Sequence, residues 1–423
     1  MSDAHLIACH ECDLLQRETP LPDSGVARCR RCGAELYRDH PDSLNRALAC
    51  TLAAIVLCAI ANSFPVVGLK VNGDLVQTTL MGAVLILYRD GMWPLAGLVF
   101  FTTLLMPILQ MAATVCLLVP LRLGRPPHRP DLMFRCVRWA GSWGMTEVLI
   151  LGVLVGLVKL AHIASVVPGI ALWAFGALML LLAAISSAFD PHDIWAQIGA
   201  VRPDTRAPID DPRASAAAPT AARSGLLVCH DCGLLSNAQT HAHEIHCPRC
   251  GAHLHVRKPD SIARTWAFLT AAIVLYIPAN VLPIMDTSSL FGAQKDTILS
   301  GVAYLWTSGS WPLAVLVFIA SIAVPMLKII ALMFLVVTTQ RRARWLPEQR
   351  TRLYRLVELV GRWSMLDIYV VTLLVALVQF NALATIKAGP AAVAFGAVVV
   401  LTMFAAMSFD PRLIWDATET DHG

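Results

Sequence analysis

The chain has 423 residues, of which 57% are hydrophobic and only 15% charged. Soluble domains carry about 25% charged residues, so this composition excludes an ordinary soluble protein and reads as an integral membrane protein. The net charge of +4 is too small to imply a nucleic-acid partner, and the arginines gather in short loops rather than on one face.

From the N-terminus, the first thirty residues are polar and cysteine-bearing and contain no apolar run. No cleavable signal is read there, and the N-terminus is expected to stay in the cytoplasm. Cys9 and Cys12 form one Cys-x-x-Cys knuckle, and Cys29 and Cys32 a second, with sixteen residues between the pairs. Two such knuckles supply four soft ligands with no open position, the pattern of a structural zinc ribbon. Gly33 directly after Cys32 suits a turning knuckle. In a reducing compartment paired thiols point to metal rather than disulfide. Dithiol redox chemistry is the competing reading, although it ordinarily uses a single Cys-x-x-Cys at a helix start. Cys50, Cys58, Cys116 and Cys136 belong to no motif and read as small buried residues.

A bilayer core about 30 Å thick needs about 20 apolar residues in a helix. Residues 46–68 qualify, with Asn62 and Pro65 breaking the run near its outer end. Segments 93–120, 139–161 and 169–189 follow, the second with a kink expected at Pro107 and the third containing Glu147. Asp190-Pro191 reads as an N-cap followed by proline at the first position of a short interfacial helix ending near Trp195. Residues 200–224, rich in Pro, Ala, Asp and Arg, read as a flexible linker.

The pattern then repeats. Cys229, Cys232, Cys247 and Cys250 make a second zinc ribbon, with His230, His241, His243 and His246 nearby as substitute ligands or, more simply, solvated loop residues. Spans follow at about 263–286, 311–338, 361–381 and 389–409. Asn280 to Pro283, Trp311-Pro312-Leu313-Ala314 and Phe409-Asp410-Pro411 repeat Asn62 to Pro65, Trp93-Pro94-Leu95-Ala96 and Phe189-Asp190-Pro191 at a near-constant offset. The chain is therefore two copies of one unit. Leu80–Leu87 and Ile298–Leu305, too short to span, read as amphipathic or re-entrant helices at the outer face.

Arg122, Arg125, Arg129, Arg135 and Arg138 crowd the loop after the second span. Arg341, Arg342, Arg344, Arg350, Arg352 and Arg355 crowd its counterpart. Such a bias places these loops, both ribbons and both termini in the cytoplasm, with the two units in parallel orientation. The expected architecture is an all-α polytopic membrane protein. Two tandem four-helix transmembrane bundles are each preceded by a small cytoplasmic zinc ribbon. The divisions fall at 1–45, 46–199, 200–224, 225–261 and 262–423.

Charges inside spans are expensive, so each exception carries weight. Lys328 precedes Arg341 by thirteen residues and Asp367 follows Arg355 by twelve, which sets both at a similar depth. Ser321 shares a helix face with Lys328, Ser364 shares one with Asp367, and Thr402 on the last span is a further candidate. Gln110 and Glu147 stand at the equivalent positions of the first unit. Three readings stay open: a pair stapling two helices, a proton- or substrate-coupled switch, or two groups that never meet. No nucleophile–base pair, phosphate loop, HExxH or nucleotide motif is present, so neither an enzyme nor an ATP-driven machine is expected.

With its twin cysteine modules each ahead of four spans, and its repeated Asn-x-x-Pro, Trp-Pro-Leu and Phe-Asp-Pro motifs, the chain resembles the paraquat-inducible protein A family over roughly residues 5–415. The resemblance implies an inner-membrane partner of periplasmic MCE-domain tunnel proteins in Gram-negative bacteria. It implies a role in moving phospholipid between inner and outer membranes, and labels no catalytic residue. A non-transporting anchor that assembles the tunnel is the alternative, and a membrane redox enzyme a distant third.

Overall fold

The computed structural model describes residues 6–19, 21–22, 25–38, 42–71, 74–161, 165–189, 194–195, 197–199, 220–237, 246–289, 292–309, 311–361, 369–370, 372, 379–380 and 384–418. The first ribbon consists of two antiparallel pairs, β1 (Leu6–Ala8) with β2 (Leu15–Arg17) and β3 (Val26–Arg28) with β4 (Glu35–Arg38). Gly33 takes φ 72°, a left-handed turn that glycine adopts without the Cβ penalty.

Helix α1 (Ser43–Ser63) leads into the first bundle and stops where Pro65 removes a donor. The chain then turns back as a hairpin, β5 (Val67–Val71) with β6 (Asp74–Thr78). Next come α2 (Leu80–Arg89), whose N-cap Thr79 accepts a hydrogen bond from the Gly82 amide, and the long α3 (Trp93–Arg122). After it lie α4 (Pro130–Trp143), α5 (Thr146–Ala161), the strand β7 (Ser165–Pro168) and α6 (Ile170–Ala188).

The second half repeats this plan. Its ribbon contains β8 (Leu226–Val228) and β9 (Leu235–Asn237). Its bundle opens with α7 (Ser261–Val281) and the hairpin β10 (Met285–Ser289) with β11 (Gly292–Asp296). Then follow α8 (Ile298–Thr307), with a capping box between Thr297 and Ser300, and α9, which runs through Trp311–Phe318, Ile319–Ala323 and Val324–Gln340. Helix α10 (Pro347–Gly361), the strands β12 (Gln379–Phe380) and β13 (Ala384–Ala388), α11 (Pro390–Ser408) and α12 (Leu413–Asp416) complete it.

Among the described residues six helices are long and apolar enough to cross a membrane. They are α1, α3, α6, α7, α9 from Ala314, and α11. The expected third span of the first unit, 139–161, is a broken helix: α4 ends where Gly144 turns extended, and α5 starts afresh at Thr146. Its counterpart, 361–381, lies largely outside the described residues. The all-α expectation is corrected at the loops that follow α1 and α7 and precede α6 and α11, where β7 pairs with β5 and β13 with β10 to close small antiparallel sheets. Asn72-Gly73 between alternating apolar residues is the local signal for the first hairpin.

The two bundles pack alike internally, α1 against α6 and α7 against α11. Both long helices widen to a π turn, at Phe101–Leu105 and Ile319–Ala323, just ahead of Pro107 and Pro325. Proline cannot donate to the preceding turn, and the wider register takes up the mismatch. Between the halves, Thr102 Oγ1 and Tyr369 OH share a hydrogen bond of 2.9 Å, and Trp143 packs on Phe404 with ring centroids 5.3 Å apart.

Candidate functional site

Each cysteine set forms a closed, buried centre. Within Cys9, Cys12, Cys29 and Cys32, and within Cys229, Cys232, Cys247 and Cys250, the Sγ atoms all lie within 4.8 Å of one another. The nearest approaches, Cys9 to Cys32 at 3.5 Å and Cys229 to Cys250 at 3.4 Å, exceed a disulfide bond, and all eight cysteines are free thiols. Four convergent buried thiols, joined by no further ligand among the described residues, can hold a metal ion structurally. His230 is turned elsewhere: its Nε2 lies 2.7 Å from Arg412 Nη2. Burial and then the Arg412 charge lower its pKa to about 4, leaving a neutral ring that accepts from the guanidinium. His246 stacks near His253, with centroids 4.3 Å apart; His241 and His243 lie outside the described residues.

The ribbons cross over. Cys9, Cys12, Cys29, Cys32 and Ala34 share a buried cluster with Leu332, Leu335, Tyr354, Phe409 and Trp415 of the second bundle. The second ribbon's cysteines share one with Leu117, Leu121, Phe134 and Trp195 of the first. The polar contacts repeat the exchange. Arg355 Nη2 donates to Cys32 O at 2.9 Å, and Arg135 Nη2 donates to Cys250 O at 2.8 Å. Arg31 lies over the Trp415 ring at 4.3 Å, and Arg249 over Trp195 at 5.6 Å. Trp195 and Trp415, expected at a membrane interface, are instead buried beneath the ribbons.

Asp410 is not a simple N-cap, because α12 begins three residues later with Arg412 at its cap position. Its carboxylate accepts from the Arg412 amide and guanidinium and from the Lys258 amide, tying α7 to the end of α11. Burial pushes the Asp410 pKa up, but the Arg412 guanidinium outweighs it and holds the pKa at about 2. The matching Asp190 lies outside the described residues.

Between the halves, on the ribbon side, lies a cavity of about 580 Å³. Repeat-equivalent residues line it from both bundles: Gln110 and Lys328, Arg138 and Glu358, Gly141 and Gly361. Gln110 and Lys328 are buried, whereas Arg138 and Glu358 are exposed, so the cavity runs inward from a charged rim. Lys328 Nζ makes no hydrogen bond with a described residue. A side chain at Gly361 would sit 3.0 Å from that Nζ, and one at Gly141 would sit 3.6 Å from Gln110 Nε2. Each glycine thus leaves room for the polar end of its neighbour.

The remaining polar candidates scatter. Ser321 Oγ donates to Val317 O at 2.7 Å and Thr402 Oγ1 to Val399 O at 2.9 Å, so each hydroxyl is bonded to its own helix. That back-bonding is the nearest partner a hydroxyl has in an apolar bundle. Glu147 sits exposed in the first turn of α5, a position favoured by the helix dipole and separate from the cavity. Ser364 and Asp367 lie outside the described residues. Asn62 and Asn280 each donate to the carbonyl four residues back, at 2.8 and 2.9 Å. The features missed at the sequence level are the crossed ribbons and the inter-repeat cavity. Their signal is that Arg135 and Arg355, and Trp195 and Trp415, stand at equivalent positions of the two copies.

The paraquat-inducible protein A family matches residues 44–199 and again 262–419. An Escherichia coli protein named intermembrane transport protein PqiA is 35% identical over 417 residues, covering 98% of this chain and 97% of its own. Lipophilic envelope-spanning tunnel protein A of the same bacterium is 30% identical, covering 97% of this chain and 91% of its own. A probable intermembrane transport protein of Haemophilus influenzae is 28% identical, covering 97% and 95%. No solved structure gives a significant match.

Proposed function

The chain belongs to the paraquat-inducible protein A family, and from that premise we propose that it is the inner-membrane component of an intermembrane lipid transport system. It passes phospholipid between the inner membrane and a periplasmic MCE-domain tunnel partner, and so supports envelope integrity. Support comes from relatives named for intermembrane transport and for an envelope-spanning tunnel, which match nearly the whole chain. The observation that carries the reading is the inter-repeat cavity with the buried ammonium of Lys328, which has no hydrogen-bond partner among the described residues, at its inner end.

In this reading each repeat supplies four spans, with the division 46–199 and 262–423. The ribbons at 1–45 and 225–261, both termini and both arginine loops face the cytoplasm, as the arginine bias favours. Each ribbon holds one structural zinc through its four cysteines, and 200–224 links the units. Lys328 and Asp367, with Ser364 nearby and Gln110 opposite, form the part of the bundle whose charge state couples to lipid movement. Ser321 and Thr402 belong to the same polar cluster, and Glu147 is the counterpart of Asp367 in the first repeat. The protein carries out transport and no covalent chemistry.

The test is transfer of a labelled phospholipid from reconstituted vesicles to a purified soluble MCE-domain partner. Wild type is expected to deliver lipid, and Lys328→Gln or Asp367→Asn to lose delivery while keeping expression and partner binding. Partner binding without any delivery by wild type would make the chain an anchor and reject the reading.

A further inference from the structure

The cavity's chemistry is specific enough to name a ligand group. Its inner end offers the Lys328 ammonium and the Gln110 amide, both buried and each fitted against a glycine of the next helix. Its rim carries Arg138 and Arg355 against one carboxylate, Glu358. Both arginines are already held: Arg138 Nη1 donates to the His230 and Asp231 carbonyls at 2.6 and 2.7 Å, and Arg355 grips Glu11. Arg138 contributes positive charge to the rim, whereas the Arg355 charge is met by Glu11, and neither is free to collapse inward. The wall carries Ile185, Phe189, Met403 and Met407, interrupted by Ser142 and Ser186. A volume of about 580 Å³ falls within the range of small-ligand sites.

A buried ammonium with no hydrogen-bond partner among the described residues is costly to keep, and an anion that bonds it relieves that cost. A carbonyl or hydroxyl ligand would satisfy the hydrogen bond and leave the charge unmet. We propose that this cavity binds a phosphate group between Lys328 and Gln110, with the apolar side chains of the wall receiving an attached acyl chain. The phosphate belongs either to a phospholipid headgroup or to free phosphate. The lipid source rests on the transport reading above, whereas the phosphate site itself does not.

The experiment uses the full chain, purified in detergent and stripped of lipid. Its probes are a fluorescent-tailed lysophosphatidylglycerol, the matching monoacylglycerol without phosphate, and inorganic phosphate as competitor. The variant is Lys328→Gln, since the first repeat already carries glutamine at that position in Gln110. Binding of the lysophospholipid should weaken about tenfold in the variant, the equivalent of one charge-assisted hydrogen bond. The monoacylglycerol should show no such dependence on Lys328. Displacement by inorganic phosphate at a comparable concentration assigns the site to free phosphate, and failure to displace assigns it to lipid.

Should Lys328→Gln not fold, Gln110→Glu tests the same site from the opposite wall, its added negative charge weakening the lysophospholipid. If wild type binds no phosphate-bearing probe, or binds it equally well in the folded variants, the proposal is overturned. Binding that depends on Lys328 while delivery to a tunnel partner fails would leave this site standing and reject the transport reading alone.

Discussion

Arg355 on α10 of the second bundle closes a two-armed ion pair on Glu11 of the first ribbon, with Nε 2.8 and 2.7 Å from the two carboxylate oxygens. The same guanidinium caps Cys32 O and lines the cavity, so one side chain joins a cysteine centre to the wall between the bundles. Burial draws the pair into a less screened setting, and the bond to Glu11 raises the Arg355 pKa. Because each ribbon sits on the bundle of the other copy, these contacts fasten the halves together and not merely the ribbon to its own helices.

Breaking that pair should therefore loosen the link between halves. Arg355→Ala leaves Glu11, a carboxylate with only 10% of its side chain exposed, without its partner. A cost of about 2 kcal/mol is expected. Glu11→Gln, which keeps a hydrogen-bond acceptor, should cost less. Thermal unfolding in detergent, paired with limited proteolysis of the ribbon, reads both. Equal melting temperatures for wild type and Arg355→Ala would show that the pair does not fasten the halves.

Metal removal should act at the same joint. The ribbons are too small to fold on an apolar core alone, so metal binding there is folding free energy. Elemental analysis should find two zinc ions per chain, and a strong chelator should release both ribbons to protease. Cys32→Ser should free the first ribbon and leave the second intact, since the two centres share no ligand. A chain that is fully protease-resistant without metal would contradict this.

The cysteine centres were legible because a Cys-x-x-Cys knuckle is local: spacing alone brings two thiols together, and one repeated spacing completes the set. Pro107 announced a disturbance of its helix for the same reason, through a donor missing from a known turn, and a π turn precedes it. The crossed docking was not legible, because it depends on pairs such as Glu11 and Arg355 that lie hundreds of residues apart. In the sequence those arginines reported only which side of the membrane their loops occupy. Ser321 and Thr402 show a related limit: helical spacing sets the face of a hydroxyl but not whether it also bonds its own backbone. The break at Gly144, which makes Glu147 a first-turn residue of α5, was not legible because it depends on tertiary packing.

Two glycines tie the last span of each bundle to the end of the first. Gly169 donates to Val66 O at 3.0 Å and Gly389 to Ile284 O at 2.7 Å. A Cβ at these positions would lie 2.0 Å from Pro65 O and 2.2 Å from Pro283 O, both backbone atoms that cannot swing aside. Gly169→Ala and Gly389→Ala should each destabilise by about 3 kcal/mol. Gly176 in the middle of α6 meets nothing within 4 Å, so Gly176→Ala should be neutral or slightly stabilising. Thermal melts of the three variants check the contrast, and a Gly169→Ala protein as stable as Gly176→Ala would remove the close approach.

Asp410 gives the fold a dependence on acid. Its pKa is held at about 2 in the folded protein by Arg412, against about 3.9 for an unperturbed aspartate. A carboxylate with a depressed pKa stabilises fully above its unfolded value, and that contribution is lost as pH falls from about 4 towards 2. The difference corresponds to about 2–3 kcal/mol at neutral pH. Asp410→Asn should lower stability at pH 7 by roughly that amount, more if the buried Arg412 charge is left unpaired. Below pH 2, where the wild-type carboxyl is itself protonated, the gap between the two proteins should close. Chemical unfolding of both proteins across this range measures it, and a gap that stayed constant with pH would show that the ionised carboxylate is not what holds α7 to the end of α11.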